Sequence, residues 1–339
     1  MRAVIIDTPG KFRVGDIPDP TPQSNELVIR VGACGICGTD LHIIDGESPL
    51  AHYPIVPGHE LAGEVVAVGT HAEQDPLSAK VGDRVAIQPN IYCGRCEFCR
   101  TGHENLCIGY TAVGVTINGA FAEYVAIPSA QAYQLPDSMS FCEGALIEPV
   151  SCAVHGMHSL SPKSGDTFLI VGAGTMGLLL LQLALRGGAS RVTMVDLNTQ
   201  RLESAKQLGA SSIHTDIKQC FVDEPSGFDC VIDATGVASV IEAAFLAVKR
   251  GGKFMMFGVA PNDARVSLSP FRIYNDEITI VGSMAVLFSF QAALDLMQGG
   301  VINTEMMLTA ALPLDDFSHA LEMVRRGEGL KTQIVPVWK

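Results

Sequence analysis

The sequence predicts a two-domain protein in which a β-rich N-terminal half is followed by an α/β, doubly wound parallel sheet. The chain has 339 residues, which is enough for about two domains. Before about residue 140 it holds short β-branched runs bounded by Gly, Pro or Asp, and no long helical period. From Phe168 onward, apolar strand-like runs alternate with helix-like segments, and this alternation is typical of a parallel sheet with helical crossovers.

The predicted elements follow this division in order. Proline residues 18, 20 and 22 mark an early loop, and the β-rich half has predicted strands at 26–31, 63–68 and 84–87. The α/β half has predicted strands at 168–171, 191–195, 228–232, 253–257 and 278–281, and helices at 174–185, 199–208 and 238–248. The tail has predicted helices at 292–297 and 317–325 and a strand at 333–337.

Charge and composition exclude several classes of partner. Lys and Arg number 23 and Asp and Glu 36, so the formal net charge is −13, which disfavours binding to nucleic acid or to an anionic membrane. The longest apolar run, 177–185, is too short for a membrane span, and the N-terminus has no signal-peptide pattern, so we expect a cytoplasmic protein. Ten cysteines in a reducing cytosol favour metal sites over disulfides.

A glycine-rich loop predicts a dinucleotide site. The first predicted α/β strand runs into Gly172-Ala173-Gly174-Thr175-Met176-Gly177, a G-x-G-x-x-G pattern between a strand and a helix. In this pattern Gly172 permits the tight turn, and Gly177 lets the helix pack closely on the sheet. Gly174 and the helix N-terminus at Thr175 and Met176 are expected to approach the pyrophosphate of the dinucleotide. The alternative is a tight turn that binds no ligand.

Asp196 predicts which dinucleotide binds. It ends the second strand 19 residues after Gly177, where a carboxylate can hydrogen-bond the adenosine ribose and repel a 2′-phosphate, so NAD is favoured over NADP. Asp196 is also compatible with a helix N-cap. Arg201 is placed to flank the adenine or to pair with Asp196, and three residues after later strands complete the predicted cofactor site: Thr235, Val259 and Ser283.

Four cysteines in one loop predict a structural metal site. Cys93, Cys96, Cys99 and Cys107 follow the pattern C-x2-C-x2-C-x7-C, and four thiolates can close a tetrahedral Zn²⁺ shell in a lobe at 90–110. An iron–sulfur cluster is the competing reading, although the x7 spacing and Ile108 after the last cysteine depart from the ferredoxin pattern. The acidic charge argues against a nucleic-acid-binding zinc finger.

A second metal set is more scattered. Cys37, Thr39 and His42 share a glycine-rich loop, His59 and Glu60 follow a proline-rich approach, and Glu148 precedes the α/β half. A thiolate, an imidazole and a carboxylate from distant segments are typical ligands of a catalytic zinc that keeps one position open. By spacing alone this inference is weak, because an isolated His-Glu pair usually lies at the surface or caps a helix.

The motifs together resemble the zinc-containing medium-chain alcohol and polyol dehydrogenase family. The resemblance runs from Cys34 almost to the C-terminus and rests on Cys34–His42, Pro57–Glu60, Val81–Val85, Gly144–Pro149, the four-cysteine loop and the glycine pattern. It implies a GroES-like catalytic domain, 1–150 and 288–339, around an inserted Rossmann NAD-binding domain, 151–287. It also implies a catalytic zinc on Cys37, His59 and either Glu148 or Glu60, and therefore two zinc ions per chain.

The expected reaction is a reversible hydride transfer from a secondary alcohol to NAD. Zinc is expected to act as a Lewis acid on the substrate hydroxyl, and Thr39 and His42 are expected to carry the proton away. Residues 145–149 are most similar to the sorbitol and xylitol dehydrogenase branch, but Ile43 and Ala285 replace a Tyr and an Arg of that branch, so a shorter or less hydroxylated substrate is expected.

Two alternatives remain at this point. Residues 119–125 also resemble threonine dehydrogenase, although Asn90 replaces a His of that branch. The more distant alternative is that the chain is a non-catalytic protein that binds NAD or zinc. The predicted last Rossmann strand, 277–282, lies at a sheet edge, and an exposed apolar edge predicts a homodimer or homotetramer.

Overall fold

The computed structural model describes residues 1–337. Its strands are β1 Arg2–Thr8, β2 Lys11–Asp16, β3 Glu26–Gly35, β4 Glu60–Val68, β5 Arg84–Ile87, β6 Asn90–Ile91, β7 Thr111–Ala112, β8 Tyr124–Pro128, β9 Ala132–Gln134, β10 Thr167–Val171, β11 Arg191–Val195, β12 Ser212–His214, β13 Phe228–Asp233, β14 Val248–Met256, β15 Thr279–Gly282, β16 Leu308–Leu312 and β17 Lys331–Ile334.

All described helices longer than eight residues follow residue 146. The helices are α1 Gly38–Asp45, α2 Thr70–Gln74, α3 Glu97–Arg100, α4 Phe141–Ala145, α5 Ile147–Leu160, α6 Thr175–Arg186, α7 Thr199–Gln207, α8 Cys220–Asp223, α9 Ala238–Phe245, α10 Pro270–Asn275, α11 Phe290–Gln298, α12 Thr304–Met307 and α13 Phe317–Arg325. Among these described helices, none combines the length and the hydropathy that crossing a bilayer requires.

The chain divides into two compact units. The first holds Met1–Pro149, Val286–Gln298 and the chain from Met307 onward, and the second holds Val150–Ala285 and Gly299–Met306. The stretch Gly299–Met306 therefore lies with the second unit, whereas the expected boundaries put it in the C-terminal segment. The last two residues of that predicted segment, 338 and 339, lie outside the described residues.

The second unit is built on a six-stranded parallel sheet, which confirms the predicted doubly wound α/β fold. Its strand order is β12-β11-β10-β13-β14-β15, the order of a dinucleotide-binding sheet whose direction of winding reverses between β10 and β13. Every residue of β10 is buried, because helices cover both faces of such a sheet. Ligand-binding loops are therefore expected at the carboxyl ends of these strands.

Several elements of this unit differ from the sequence prediction; the strand expected at 253–257, for example, covers Val248–Met256. The predicted helix 238–248 ends at Phe245, because Val248 is buried in the sheet and begins β14, whose pairing with β13 shifts register between Phe228 and Cys230. Strand β12 was not predicted, because its three residues are only half-buried and form no apolar run.

The first unit holds a seven-stranded sheet in which strands of the C-terminal tail pair with strands of the N-terminal half, while β1 and β2 form a separate two-stranded sheet. The order of the seven-stranded sheet is β16-β17-β3-β4-β5-β9, with β8 also paired to β3. Strand β17 pairs antiparallel with β3 through Gln333 opposite Gly35 and Ile334 opposite Cys34. The Phe317 ring of α13 lies 5.0 Å from the Phe121 ring in the core, so the C-terminal segment is an integral part of this unit.

Candidate metal centres and cofactor site

One candidate metal centre lies where α1 and β4 begin. Cys37 is the N-cap of α1, Glu60 is the first residue of β4, and His59 directly precedes it. The ligand atoms of these three side chains all lie within 4.8 Å of one another, and His59 and Glu60 are buried. The structure therefore brings together the predicted thiolate, imidazole and one predicted carboxylate from segments that are 20 residues or more apart.

Asp40 holds the two segments of this centre together. The backbone N–H of Cys37 donates to its carboxylate at 2.8 Å and that of Gly58 at 3.2 Å, and the same carboxylate lies 3.5 Å from Nδ1 of His59. A carboxylate against the outer nitrogen of a metal-binding histidine fixes the orientation of the ring. The sequence analysis missed Asp40, although its place three residues after the helix cap Cys37 is a recognisable capping-box signal.

Lys331 is the second residue that the sequence analysis missed. Its Nζ donates to both carboxylate oxygens of Glu60, at 2.7 and 2.8 Å, and to the carbonyl of Ile36 at 3.3 Å. The exposed fractions of the Lys331 and Glu60 side chains are 4% and 1%. Lys331 comes from β17, 271 residues after Glu60, so no local pattern could have indicated the pair.

The electrostatics of this centre favour a cation. Burial lowers the pKa of His59, but the negative Asp40 and Cys37 outweigh burial and raise it well above the ordinary value of 6.5. Burial also lowers the pKa of Lys331, but Glu60, Cys37 and Glu148 raise it above its ordinary value. Both shifts reflect negative groups that outweigh burial at these positions, and such surroundings also favour a bound cation.

Two further predicted residues lie near this centre in different ways. The Thr39 hydroxyl oxygen is 3.9 Å from Sγ of Cys37. Glu148 lies in the first turn of α5 and is buried, but it is not part of the group whose ligand atoms come within 4.8 Å. The donor set Cys37, His59 and Glu60 fits zinc, because thiolate, imidazole and carboxylate are the ligands of open zinc sites.

The predicted proton-carrying histidine has a carboxylate partner. His42 lies in the last turn of α1, and its Nδ1 is 2.7 Å from a carboxylate oxygen of Glu47. This partner was not anticipated from the sequence. Ile43, the next residue, is fully buried in the core of the first unit, so its side chain offers nothing polar to a substrate.

The second candidate metal centre is the four-cysteine lobe. The ligand atoms of Cys93, Cys96, Cys99 and Cys107 lie within 4.8 Å of one another. The backbone N–H of Cys96 donates to Sγ of Cys93, and the N–H groups of Cys93 and Gly109 donate to Sγ of Cys107, each at 3.3 Å. Amide donors of this kind stabilise thiolates, and thiolates are the metal-binding form of cysteine.

The thiols of this lobe do not titrate alike. Backbone N–H donors around Cys96 lower its pKa to about 6, and similar donors lower the pKa of Cys93. Burial and the neighbouring thiols raise the pKa of Cys99 to about 12. Four thiolates can share this space only when a cation balances them, and a structural Zn²⁺ with four sulfur ligands is the fitting group.

The glycine loop follows β10 and has the geometry of a phosphate-binding turn. Gly172 has a φ of +102°, a value that favours glycine. Gly174 is the N-cap of α6, so the first amides of that helix have no side-chain cap, and a side chain on Gly177 would collide with the carbonyl of Gly172. The predicted residues Thr175 and Met176 begin α6 and are half-buried.

Asp196 lies at the carboxyl end of β11, beside this loop. One of its carboxylate oxygens accepts the N–H of Ala173 at 2.6 Å, and the other accepts the N–H of Asn198 at 2.8 Å. Each carboxylate oxygen has a second lone pair for a ligand hydroxyl. Arg201 lies in the first turn of α7, and its guanidinium is the side-chain group nearest to the open face of Gly174.

The other predicted cofactor residues follow neighbouring strands of the same sheet. Thr235 follows β13, and its hydroxyl donates to the carboxylate of the buried Asp233 at 2.6 Å. Val259 and Ser283 follow β14 and β15, and Val259 is exposed. All of these positions are at the carboxyl edge of the parallel sheet, where dinucleotides bind.

Comparison with known proteins identifies the family. An alcohol dehydrogenase GroES-like domain matches residues 23–137, and a zinc-binding dehydrogenase domain matches residues 175–299. D-arabinitol dehydrogenase 1 of Uromyces fabae is 36% identical over 99% of this chain and 97% of its own length. Sorbitol dehydrogenase of Bacillus subtilis is 32% identical over the same shares, 99% and 97%.

A solved structure agrees with this assignment. A zinc-binding dehydrogenase of Sinorhizobium meliloti bound to NADP superimposes with a TM-score of 0.91 at 33% identity, over 99% of both chains. These similarities confirm the resemblance read from the motifs, the GroES-like and Rossmann-type fold, zinc and an NAD-type dinucleotide as cofactors, and the oxidoreductase class. The chain belongs to the zinc-dependent medium-chain alcohol and polyol dehydrogenase family.

Proposed function

We propose that this protein oxidises a secondary alcohol of a small polyol or diol to the ketone, reversibly, with NAD as the hydride acceptor. The observation that carries the proposal is the group of Cys37 with the buried His59 and Glu60, whose thiolate, imidazole and carboxylate suit a zinc ion. The glycine loop of the second unit supplies the second requirement, a dinucleotide site. The relatives that act on arabinitol and sorbitol support the polyol class.

We propose that Cys37, His59 and Glu60 hold the catalytic metal. Zinc, when bound there, would polarise the substrate hydroxyl as a Lewis acid. Glu60 is favoured over Glu148 as the carboxylate ligand, because only Glu60 comes within 4.8 Å of both other ligand atoms in the described part of the chain. Glu148 is then the buried acid that orients water or substrate beside this centre.

The chain's own groups would handle the proton. The Thr39 hydroxyl, 3.9 Å from Sγ of Cys37, can accept a hydrogen bond from the substrate hydroxyl and pass a proton onward. His42 is half-exposed at the end of α1, so it can release that proton to solvent. The cofactor, when bound, would supply the nicotinamide that accepts the hydride.

We propose a preference for NAD over NADP. A 2′-phosphate would meet the Asp196 carboxylate, whose oxygens accept the amide of Ala173 in the glycine loop and the amide of Asn198 after β11. Repulsion between these anions is not offset by the next residue, because Leu197 is apolar. Arg201 is the nearby cation and would contact the adenosine part of either cofactor.

Two positions favour a substrate with few hydroxyl groups. Ile43 packs in the core, and Ala285 offers only a methyl group in a left-handed backbone conformation with a φ of +52°. Neither side chain can donate a hydrogen bond to a distal hydroxyl of a long polyol. We therefore propose that the best substrate has a short chain with adjacent hydroxyl groups.

We also propose that the protein is a homodimer or homotetramer of the cytoplasm. Strand β15 is an edge strand with exposed backbone positions, and the neighbouring α10 exposes Phe271 and Tyr274. An exposed edge flanked by aromatic side chains suits pairing with a second copy. Free thiols in both candidate metal centres suit a reducing compartment.

A substrate screen tests the proposed reaction. Purified zinc-loaded protein is assayed for NADH formation with polyols of four to six carbons, with 2,3-diols and with threonine. We expect turnover with a short polyol or diol, and activity confined to threonine would instead support the threonine dehydrogenase alternative. No turnover with any of these substrates, by protein that contains two zinc ions, would refute the proposal.

A further inference from the structure

The end of helix α1 places one exposed glutamate against the ring of His42. The helix stops at Gly46, which has a φ of +81°, and the N–H groups of Glu47 and Ser48 both donate back to the carbonyl of His42, at 2.8 and 3.2 Å. This reversal brings the Glu47 side chain over the last turn of the helix. A carboxylate oxygen of Glu47 lies 2.7 Å from Nδ1 of His42.

The reversal is built into the packing of the unit. A side chain on Gly46 would stand 2.6 Å from Cβ of Pro9, so the tight turn is adapted to the neighbouring loop. Tyr53 also ties down the helix end, because its hydroxyl donates to the carbonyl of Ile43 at 2.6 Å. The contact between His42 and Glu47 is therefore set by the local fold rather than by a chance meeting of two flexible side chains.

The contact determines which ring nitrogen can accept a proton. An ionised carboxylate has no proton to donate, so Nδ1 of His42 must be the donor. In the neutral imidazole the lone pair then lies on Nε2. When Nε2 takes up a proton, the negative carboxylate stabilises the imidazolium that forms.

The other charged groups near this end of α1 have partners of their own. Asp45, on the same helix turn, is paired with Arg325 of α13, and Asp40 faces the amides of Cys37 and Gly58. Within residues 1–337, the ring of His42 has Glu47 as its one charged contact.

We propose that Glu47 is a positioning residue for proton release: it holds His42 in the form whose Nε2 accepts the proton lost from the substrate hydroxyl. This inference rests on the proposed function, in which His42 is that acceptor. In each oxidation the C–H bond breaks and its electron pair leaves as hydride to NAD⁺, while the hydroxyl proton ends on Nε2 and then passes to water. Glu47 stays ionised throughout, and it exchanges no proton with the substrate.

Kinetics of matched variants test the proposal. Glu47→Gln keeps the size of the side chain but removes its charge, and Glu322→Gln is the control, because Glu322 forms a similarly exposed ion pair with Arg326. We expect Glu47→Gln to lower the plateau of kcat about tenfold and to move the ascending limb of its pH profile to lower pH. Glu47→Asp should restore the position of the limb, and the control should match the wild type.

A double-mutant cycle separates positioning from a structural role. In a His42→Gln background, Glu47→Gln should change kcat less than twofold, because its target is gone. Zinc content, the KM for NAD and thermal stability should stay at wild-type values, since the pair is exposed, at 39% and 63% of the two side chains. An equal loss of kcat in both backgrounds, or an unmoved pH profile, would overturn the proposal.

A spectroscopic measurement keeps this proposal apart from the proposed function. Nitrogen-15 NMR of the zinc-loaded protein reports which ring nitrogen of His42 carries the proton. We expect the Nδ1–H form in the wild type and a mixture of forms in Glu47→Gln. The Nε2–H form in the wild type would overturn the role of Glu47, whereas absence of turnover with every alcohol would overturn only the proposed function.

Discussion

Replacing Lys331 by methionine should destabilise the first unit strongly. The change leaves the Glu60 carboxylate, which is 1% exposed and bonded to Nζ at 2.7 and 2.8 Å, without its cation. Removing one partner of a buried ion pair costs about 3–5 kcal/mol. At about 1.4 kcal/mol per tenfold, the folding equilibrium should fall by at least a hundredfold. Methionine has a similar length and no polar atom, so the packing changes little.

The assay is urea unfolding of chelator-treated protein, followed by circular dichroism at pH 7.5. Glu60 outweighs burial and raises the pKa of Lys331 above its ordinary value of 10.5. The contribution of the ion pair to folding stability is therefore fully present below pH 10 and is lost only as the pH rises through the raised pKa. Lys253→Met is the matched control. Its Nζ donates to the carbonyls of Leu160 and Ser161 and forms no ion pair within residues 1–337, so the cost should be about 1 kcal/mol.

Zinc adds a second arm to this experiment. Zinc bound beside Glu60 would balance the charge that Lys331→Met leaves behind, so the deficit should shrink when zinc is present. A deficit no larger than that of Lys253→Met in chelated protein would refute the account of the buried pair. A deficit of the same size with and without zinc would refute the assignment of Glu60 to the metal centre.

Three further predictions address the other sites. Cys96→Ser should remove one of two zinc ions and lower the melting temperature, because a structural metal contributes folding energy, and unchanged zinc content would contradict this. Wild-type protein should prefer NAD over NADP at least a hundredfold in kcat/KM, because Asp196 can form hydrogen bonds of roughly 1.5–3 kcal/mol each with the adenosine ribose. The double change Asp196→Ser with Leu197→Arg should reverse much of this preference. Equal kcat/KM values for the two cofactors in the wild type would show that Asp196 does not hold the ribose. Burial raises the pKa of Asp229, but Lys249 and Thr167 outweigh burial and lower that pKa below 3.8. The Asp229→Asn variant should therefore lose about 2 kcal/mol of stability at pH 7, and this loss should fade below pH 4, where the carboxylate takes up a proton. A loss of stability that does not depend on pH would be evidence against this account.

Local patterns were sufficient for most of the dinucleotide half of the fold. The strand at 191–195 has the same bounds in the sequence prediction and in the structure, because a run rich in β-branched residues between turn residues favours a strand. The observed strand order is the one typical of a dinucleotide-binding sheet with right-handed crossovers. Patterns shorter than about four residues carry no such signal, which is why Ser212–His214 escaped prediction.

The candidate metal centre shows where local reasoning ends. Motifs indicated Cys37, His59 and Glu60, but the choice between Glu60 and Glu148 stayed open, because spacing in sequence does not give distance in space. Lys331 could not be found, because a lysine in a short polar strand is usually exposed and only the pairing of β17 with β3 buries this one. Asp40 and Glu47 act through side-chain contacts at the two ends of α1, and these depend on how that helix is capped.

The central claim is that the cluster of Cys37, His59 and Glu60 holds the zinc that polarises the alcohol, and the most direct test is turnover by Cys37→Ser. NADH formation with the best polyol, zinc content and NADH binding are measured on the same preparation of variant and wild type. We expect one zinc ion instead of two, no detectable turnover, and NADH affinity close to that of the wild type, since the glycine loop belongs to the second unit. Near-normal turnover by Cys37→Ser would contradict the account.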